Sequence, residues 1–215
     1  MVAGLDEAGR GSIIGNLFLA IVEADGKTLE DFKKWGIRDS KLLTKKKRKE
    51  LASKIKENSK WAIASVNPEE IDNRFSNGLN LNTLEALKYA ELINNLKPSK
   101  VIIDCPSPNI LSFKKNMEAY LEVEPELVLE HKADENHVVV GAASILAKNA
   151  RDEHIQNLSE LCGIDLGSGY PSDPVAMRGM NKLIGTSFDL YIRKSWEPYI
   201  KIREEREQKK LGDFK

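Results

Sequence analysis

The chain has 215 residues, is formally neutral, and contains 41% hydrophobic and 31% charged residues, which suits a globular protein with a real core. No apolar run approaches the roughly 20 residues that span a bilayer, and the N-terminus lacks a basic start followed by a cleavage site. We therefore expect a cytoplasmic monomer without membrane contact, in which Cys105 and Cys162 are reduced thiols.

Hydrophobic periodicity and helix-breaking residues predict the secondary structure in chain order. The predicted strands cover residues 2–6, 13–23, 61–66, 101–103 and 127–129. The predicted helices cover residues 44–57 (N-capped by Thr44), 80–96, 135–158, 172–183 and 194–209. Strands dominate the first two thirds and helices the last third, which predicts an α/β core with a helical extension.

The most informative stretch is at the start of the chain. A short apolar run ends in Asp6 and Glu7, and a Gly9-Arg10-Gly11 turn follows. Carboxylates at a strand end can hold a hard divalent metal, and a glycine turn lets backbone donors approach a phosphate or a sugar closely. Together these features suggest a metal-dependent enzyme that grips a nucleic-acid backbone.

Two further acids stand where predicted elements end: Asp104 closes a strand, and Asp134 precedes the long helix. Ligands of α/β sheets collect at strand ends, and four converging carboxylates would repel one another without cations. Oxygen ligands favour Mg²⁺ or Mn²⁺ over zinc. Two such ions about 4 Å apart would flank a scissile phosphate, one activating water and the other stabilising the leaving oxygen.

Each of these acids also fits an ordinary structural role. Asp134 is equally well placed to N-cap a helix, and Asp104 to occupy a turn. Asp6 and Glu7 would point to opposite faces of a strand, so only one of them needs a function.

Charge is unevenly distributed along the chain. Residues 33–56 carry eleven Lys or Arg against two acids, whereas residues 118–135 carry seven acids against one lysine. This asymmetry can form a polyanion-binding face, the alternative being a solvated helix surface.

A polar stripe lies on one face of the predicted helix 135–158. It consists of His137, Gly141, Ser144, Lys148 and Arg151. This stripe could bind backbone phosphates, and the alternative is that its cations are ordinary solvent-facing residues.

Two other segments are candidates for substrate contact. Asp39-Ser40-Lys41 offers a hydroxyl next to a cation, and the loop over residues 167–174 exposes backbone at its glycines. Tyr170 in this loop could stack on a sugar or base. Plain packing of Tyr170 within the loop is an equal alternative.

Five ordered motifs resemble those of type 2 ribonuclease H (ribonuclease HII), and the last resembles its single-chain archaeal branch. They are residues 4–11 (GLDEAGRG), 39–41 (DSK), 132–134 (KAD), 142–152 (AASILAKNARD) and 167–174 (GSGYPSDP). The resemblance runs from residue 2 to about 196. It departs at Ser12, where the family often has proline, which should alter the stiffness of the turn.

The resemblance implies a ribonuclease H-like fold, in which a mixed central β-sheet is flanked by helices and followed by a C-terminal helical part. It implies a catalytic α/β domain over residues 1–160, a substrate-binding helical part over 161–207 and a tail over 208–215. It also implies a catalytic set that binds two Mg²⁺ or Mn²⁺ ions, formed by Asp6, Glu7, Asp104 and Asp134.

The same resemblance implies how a substrate is held. The backbone of Gly9, Arg10 and Gly11 would read the ribose 2′-hydroxyl, the group that separates RNA from DNA. Tyr170 would test the neighbouring sugar. Three further residues would lie near the nucleic-acid backbone: Lys41, Ser144 and Lys148.

The implied reaction is hydrolysis of the phosphodiester 5′ of a ribonucleotide, in RNA/DNA hybrids or within duplex DNA, leaving 3′-hydroxyl and 5′-phosphate ends. Such an endoribonuclease would remove misincorporated ribonucleotides and RNA primers in DNA replication and repair. One alternative is another ribonuclease H-fold nuclease that acts on DNA. The other is a non-catalytic nucleic-acid-binding protein, although uncompensated acids weaken binding to phosphates.

The last residues carry one more motif. Gln208, Leu211 and Phe214 fit a Q-x-x-L-x-x-F pattern. This pattern resembles the short peptide that docks on the replication sliding clamp, with Leu211 and Phe214 filling an apolar pocket and Gln208 forming a hydrogen bond. The alternative is a frayed, charged C-terminus.

Overall fold

The computed structural model describes residues 1–37 and 43–212, and for residues 209–212 it describes the backbone alone. The predicted substrate residue Lys41, with Asp39 and Ser40, lies outside the described residues. So do Phe214 of the predicted clamp motif and the side chain of Leu211.

The described part of the chain forms a mixed sheet of five strands flanked by helices and followed by a helical C-terminal part, which confirms the predicted arrangement. The strands are β1 (Val2–Ala8), β2 (Leu17–Ala24), β3 (Lys60–Val66), β4 (Lys100–Asp104) and β5 (Glu126–Glu130). The helices are α1 (Gly26–Lys34), α2 (Lys45–Asn58), α3 (Pro68–Asn73), α4 (Leu81–Leu96), α5 (Ile110–Glu118), α6 (Ala133–Asn136), α7 (Val138–Cys162), α8 (Pro174–Leu183) and α9 (Glu197–Gly212).

The strand order β3-β2-β1-β4-β5 positions the site. β1, β2 and β3 form an antiparallel meander, while β4 and β5 run parallel to β1. Because parallel strands end at the same edge of a sheet, the residues that follow β1, β4 and β5 are brought together there.

Apolar side chains alternate between the two faces of the sheet. On β1, Leu5 packs with α4 and α5 on one face, while Val22 of β2 and Ile102 of β4 pack with α1, α2 and α7 on the other. A third cluster joins the C-terminal helices to Ile13 and Ile14, which lie between β1 and β2. The N-terminal turn is thus packed directly against the C-terminal part.

The two largest differences from the predicted boundaries lie in the second strand and in the long helix. Residues 13–16 do not belong to the second strand, because Gly15 adopts φ +79° and Ile14 forms only an isolated bridge with Ile192. The predicted helix over 135–158 is broken at His137, whose extended backbone (φ −122°, ψ 112°) separates α6 from α7. Asp134 therefore lies in the first turn of α6, and the N-cap of α7 is His137.

Both cysteines are free thiols, as the sequence predicts. Within the described ranges, every helix is too short or too polar to cross a membrane.

Candidate active site

Three carboxylates meet at the edge of the sheet where the parallel strands end. Asp6 comes from β1, Asp104 ends β4, and Asp134 follows β5 in α6. One oxygen of each lies within 4.8 Å of the others. Asp6 and Asp134 are buried, whereas Asp104 is partly exposed. The structure therefore brings together three of the four acids predicted as a metal set.

Local backbone geometry explains this convergence. The Lys132 N–H donates to Asp104 Oδ1 at 2.9 Å, and Lys132 adopts a left-handed conformation (φ 59°) that turns the chain into α6. On β1, a Cβ added to Gly4 would lie 2.4 Å from the Val139 backbone carbon. A glycine is therefore required at Gly4 for α7 to approach β1 so closely, and this approach places α6 beside Asp6.

Glu7 points to the other face of β1, as neighbouring strand residues must. Its carboxylate accepts a hydrogen bond from the Tyr89 hydroxyl on α4 and lies near Glu85. Burial, and then repulsion from Glu85, raises the pKa of Glu7 to about 8. Glu7 still reaches the site, because it lines the cavity described below.

Two acids of this edge, Asp6 and Asp104, carry raised pKa values. Burial, followed by repulsion from Glu7, raises the pKa of Asp6 well above 3.8, while the nearby Ser144 hydroxyl opposes this shift. Burial, followed by repulsion from Asp134, raises the pKa of Asp104. A divalent cation would remove the cause of this repulsion. The donor set, three clustered carboxylate oxygens, matches the ligands that Mg²⁺ and Mn²⁺ prefer.

A cavity of about 400 Å³ opens beside the carboxylates. Its lining combines the acid Glu7, the glycine turn and four side chains from other elements. The lining residues are Glu7, Ala8, Gly9, Arg10, Gly11, Arg48, Lys148, Arg151 and Tyr170. The turn predicted to contact substrate therefore shares one cavity with a predicted catalytic acid and with Lys148. The Lys148 charge partly opposes the increase in the pKa of Asp6 that burial causes.

The glycine turn is shaped by its own backbone. Gly9 has φ +91°, and a Cβ there would lie 3.0 Å from the Asn16 carbonyl oxygen. Gly11 is different, because a Cβ there would contact Tyr170 alone, at 3.9 Å. The Arg10 side chain turns into the protein, where it pairs with the fully buried Glu85 and donates to Asn82 at 2.7 Å. Because its guanidinium is paired inside the protein, Arg10 lines the cavity mainly with its backbone.

The loop that carries Tyr170 is fastened to this turn. The Ile13 N–H donates to the Gly169 carbonyl at 2.9 Å, and the Ser12 hydroxyl lies 2.7 Å from the same oxygen. Ser12, the residue that departs from the family pattern, is therefore a link between turn and loop. Arg151 donates to the Ser168 carbonyl at 2.8 Å and lies over the Tyr170 ring at 5.0 Å.

The predicted polar stripe on the long helix does not act as one surface. His137 lies 3.0 Å from Glu130 at the helix start, and Gly141 and Ser144 are buried. Lys148 and Arg151, further along α7, line the cavity. Ser144 contacts Asp6 from within the protein.

Sequence reasoning missed the residues that support the site. Tyr89 and Glu85 stand behind Glu7 and Arg10, and Asp152 pairs with both Arg48 and Arg151. Apart from Arg151, which directly precedes Asp152, their partners are distant in sequence, so no local pattern predicts these contacts. The one available signal was an acid, Glu85, on the apolar side of the predicted helix 80–96.

The family of this chain follows from its similarity to known proteins. The sequence model of Ribonuclease HII matches residues 3–198. The chain belongs to the ribonuclease HII family. It is 41% identical over 214 residues to a ribonuclease HII of Pyrococcus furiosus, covering 97% of this chain and 94% of that protein. Membership makes the chain a ribonuclease H, which is a hydrolase.

Solved structures of the family agree. The ribonuclease H2 of Pyrococcus horikoshii is 37% identical and superposes with a TM-score of 0.85, covering 95% of this chain and 97% of that one. The Archaeoglobus fulgidus ribonuclease HII, solved in a complex with PCNA, is 35% identical with a TM-score of 0.81, covering 90% and 93%. The ribonuclease H-like fold predicted from the motifs is thereby confirmed.

Proposed function

We propose that this ribonuclease HII hydrolyses the phosphodiester 5′ of a ribonucleotide, in RNA/DNA hybrids and in duplex DNA with embedded ribonucleotides. The observation that carries the proposal is the position of the glycine turn. Gly9, Arg10 and Gly11 share a cavity with Glu7 and lie beside the cluster of Asp6, Asp104 and Asp134. The backbone that would recognise the ribose is therefore adjacent to the carboxylates that would hydrolyse the neighbouring phosphodiester.

In this proposal Asp6, Glu7, Asp104 and Asp134 form the catalytic set. The first, third and fourth would hold Mg²⁺ or Mn²⁺, since their oxygens are clustered, and Glu7 would complete the set from the cavity wall. When bound, a pair of such ions supplies an activated water and stabilises the leaving oxygen, which gives 3′-hydroxyl and 5′-phosphate ends.

The remaining residues of the cavity bind and orient the substrate. Lys148 presents a positive charge next to the carboxylates, where a backbone phosphate would lie. The backbone N–H groups of the turn approach the 2′-hydroxyl without side-chain interference at Gly11. Tyr170 contacts the next sugar, and the C-terminal part over 161–207 contributes this residue.

An end-mapping experiment tests the proposal. A labelled RNA/DNA hybrid is incubated with Mg²⁺, with Mn²⁺ and with EDTA, and the product ends are determined. We expect cleavage with either metal, no cleavage with EDTA, and 3′-hydroxyl and 5′-phosphate ends. Products with 2′,3′-cyclic phosphate ends, or cleavage that persists in EDTA, would refute the proposed chemistry.

We further propose that the C-terminal tail docks on a replication sliding clamp. Two observations support this: Gln208, Leu211 and Phe214 fit the docking pattern, and an archaeal relative of this family was solved in a complex with PCNA. Pull-down with the clamp should succeed for the unaltered chain and for Lys215→Ala and fail for Phe214→Ala. Equal capture of all three proteins would end the idea.

A further inference from the structure

Arg193 is a fully buried charged residue that the proposed function leaves unexplained. It lies just before α9, in a segment that runs beside the glycine turn. Its own N–H donates to the Ile13 carbonyl at 3.0 Å, and the Gly15 N–H donates to the Tyr191 carbonyl at 2.8 Å. These two backbone bonds fix the point from which the Arg193 side chain extends.

The Arg193 guanidinium bridges both ends of the turn region. Nη1 donates to the Arg10 carbonyl at 2.8 Å, and Nε donates to the Gly15 carbonyl at 3.1 Å. Hydrogen bonds from a charged donor are roughly twice as strong as neutral ones. Arg10 is held at its other end as well, since its side chain pairs with the buried Glu85.

The Arg10 carbonyl and the Gly11 N–H belong to the same peptide group. In a trans peptide these two groups point in opposite directions, and the described residues contain no cis peptide. A guanidinium that binds the carbonyl from inside the protein therefore directs the Gly11 N–H outward. Gly11 lines the cavity, and the hydrogen bonds among the described residues leave its N–H without an acceptor.

Packing alone does not account for a charge at this place. Removing a guanidinium from water is costly, and an apolar side chain would fill the same space at lower cost. Burial indeed lowers the pKa of Arg193 to about 10. The bound carbonyls are what this charge provides, and one of them belongs to the peptide that faces the substrate.

We propose that Arg193 is a positioning residue for ribose recognition: by holding the Arg10 carbonyl it directs the Gly11 N–H toward the 2′-hydroxyl of the substrate. This inference rests on the proposed function, and it names the residue that sets the sugar specificity of that site. Arg193 itself lies behind the turn and does not touch the substrate.

The test separates sugar recognition from general duplex binding. Steady-state kinetics on duplex DNA with one ribonucleotide give kcat and KM, and the same duplex without the 2′-hydroxyl, used as a competitive inhibitor, gives Ki. For Arg193→Lys we expect kcat/KM to fall at least about tenfold, while Ki for the all-DNA duplex stays within about twofold.

Arg74→Lys is the matched control. Arg74 is also a buried arginine over the Trp196 ring, at 5.0 Å against 5.3 Å for Arg193. Its guanidinium, however, donates to the Ile71 carbonyl and the Ser195 hydroxyl and to neither of the turn carbonyls that Arg193 holds. We expect both kinetic constants of this control to stay within about twofold at a temperature where all variants are folded. Equal changes of kcat/KM and Ki in Arg193→Lys, or no change in either, would overturn the inference.

A second set of variants guards against loss of the fold. Arg193→Gln, whose amide can reach one carbonyl without a buried charge, replaces Arg193→Lys if circular dichroism shows that the lysine variant is unfolded. In a Gly11→Ala background the additional loss caused by the Arg193 change should shrink to below about threefold, because both changes act through one N–H. An undiminished additional loss would show independent action and overturn the inference. An unaltered protein that fails to discriminate ribose would refute the proposed function itself, and this inference with it.

Discussion

Asp6 shows how its surroundings alter a single side chain in this site. Its pKa is raised first by burial and then by repulsion from Glu7, while the Ser144 hydroxyl acts in the opposite direction. The pKa of Asp104 is also raised, first by burial and then by repulsion from Asp134. Acids in such a place destabilise the metal-free protein and bind a cation well, because the cation removes their mutual repulsion.

The first prediction concerns Asp104→Asn. Removing one charge should leave the melting temperature in EDTA unchanged or higher, and should abolish the increase that Mn²⁺ causes in the unaltered protein. Turnover should fall about a hundredfold or more, because metal-ion stabilisation is worth several kcal/mol. Thermal melts with and without Mn²⁺, together with cleavage rates, check this.

Glu205→Gln, an exposed change on α9, is the control for Asp104→Asn. It should leave activity and the Mn²⁺ effect as they are. Full activity in Asp104→Asn would remove this residue from the catalytic set.

The second prediction contrasts the two glycines of the turn. Gly11→Ala has room for its methyl group, so stability should be unchanged while kcat/KM for a ribonucleotide substrate falls about a hundredfold. Gly9→Ala forces a side chain into φ +91°, which costs about 1–3 kcal/mol. Denaturant titration and kinetics on both variants measure this contrast. Unaltered ribose discrimination in Gly11→Ala would contradict the proposed role of the turn.

The sequence predicted the acids of the site better than their surroundings. Asp6, Asp104 and Asp134 each stand near the end or start of a predicted element, which predicts that they meet at one edge of the sheet. The structure brings these three carboxylates together. Tyr89 and Arg193 could not be predicted, since their partners Glu7 and Arg10 are 82 and 183 residues away along the chain. Contacts between residues so far apart along the chain can be identified only from the three-dimensional structure.

At the scale of elements, the loop over residues 167–174 connects α7 to α8 and holds the turn. Asp173 is the N-cap of α8 and accepts from Ser168 N–H at 2.7 Å and from Val175 N–H at 2.8 Å, one on each carboxylate oxygen. These hydrogen bonds lower the pKa of Asp173 below 3.8. The carboxylate therefore stabilises both the loop and the start of the helix.

The third prediction is that Asp173→Asn lowers the melting temperature at neutral pH, because an amide offers one acceptor oxygen where the loop uses two. The folded pKa lies below the unfolded one, so this stabilisation is complete above pH 3.8 and is lost as the pH falls through the folded pKa. The difference between the two proteins should therefore shrink below pH 3.8. Melting curves over pH 3–7 that stay parallel would contradict this account.

Element boundaries show where periodicity stops being informative. The α4 pattern from Leu81 to Leu96 was predicted within one residue, because a capping Asn80 and an apolar stripe agree. The break at His137 had no proline or glycine to mark it. At this point tertiary packing overrides the local helical pattern. α6 holds Asp134 at the edge of the sheet, while α7 takes a different direction and packs against Gly4.

At the scale of the whole molecule, the neutral total charge hides a cationic side next to the cavity. A second cavity, of about 530 Å³, adjoins the first, with which it shares Arg48 and Arg151. Lys45 and Lys49 of α2 also line it, together with the acids Asp152, Glu153 and Asp165. The duplex beyond the cleavage point is expected to pass over this side of α2.

The fourth prediction is that the double change Lys45→Glu and Lys49→Glu raises KM and leaves kcat nearly constant. The slope of log KM against log salt concentration should fall by about two, one for each lost phosphate contact. Lys114→Glu with Lys115→Glu, on α5, is the matched control and should change neither value. Equal effects of both double variants would mean that α2 has no special place in binding.

The most direct test of the proposed site uses one labelled DNA duplex that carries a single ribonucleotide, with Mg²⁺ or Mn²⁺ present. We expect one cut, immediately 5′ of the ribonucleotide, and no cut in the same duplex without the 2′-hydroxyl. Cleavage of the all-DNA duplex at a similar rate, or a cut on the 3′ side, would contradict the claim that the glycine turn and the carboxylates act as one site.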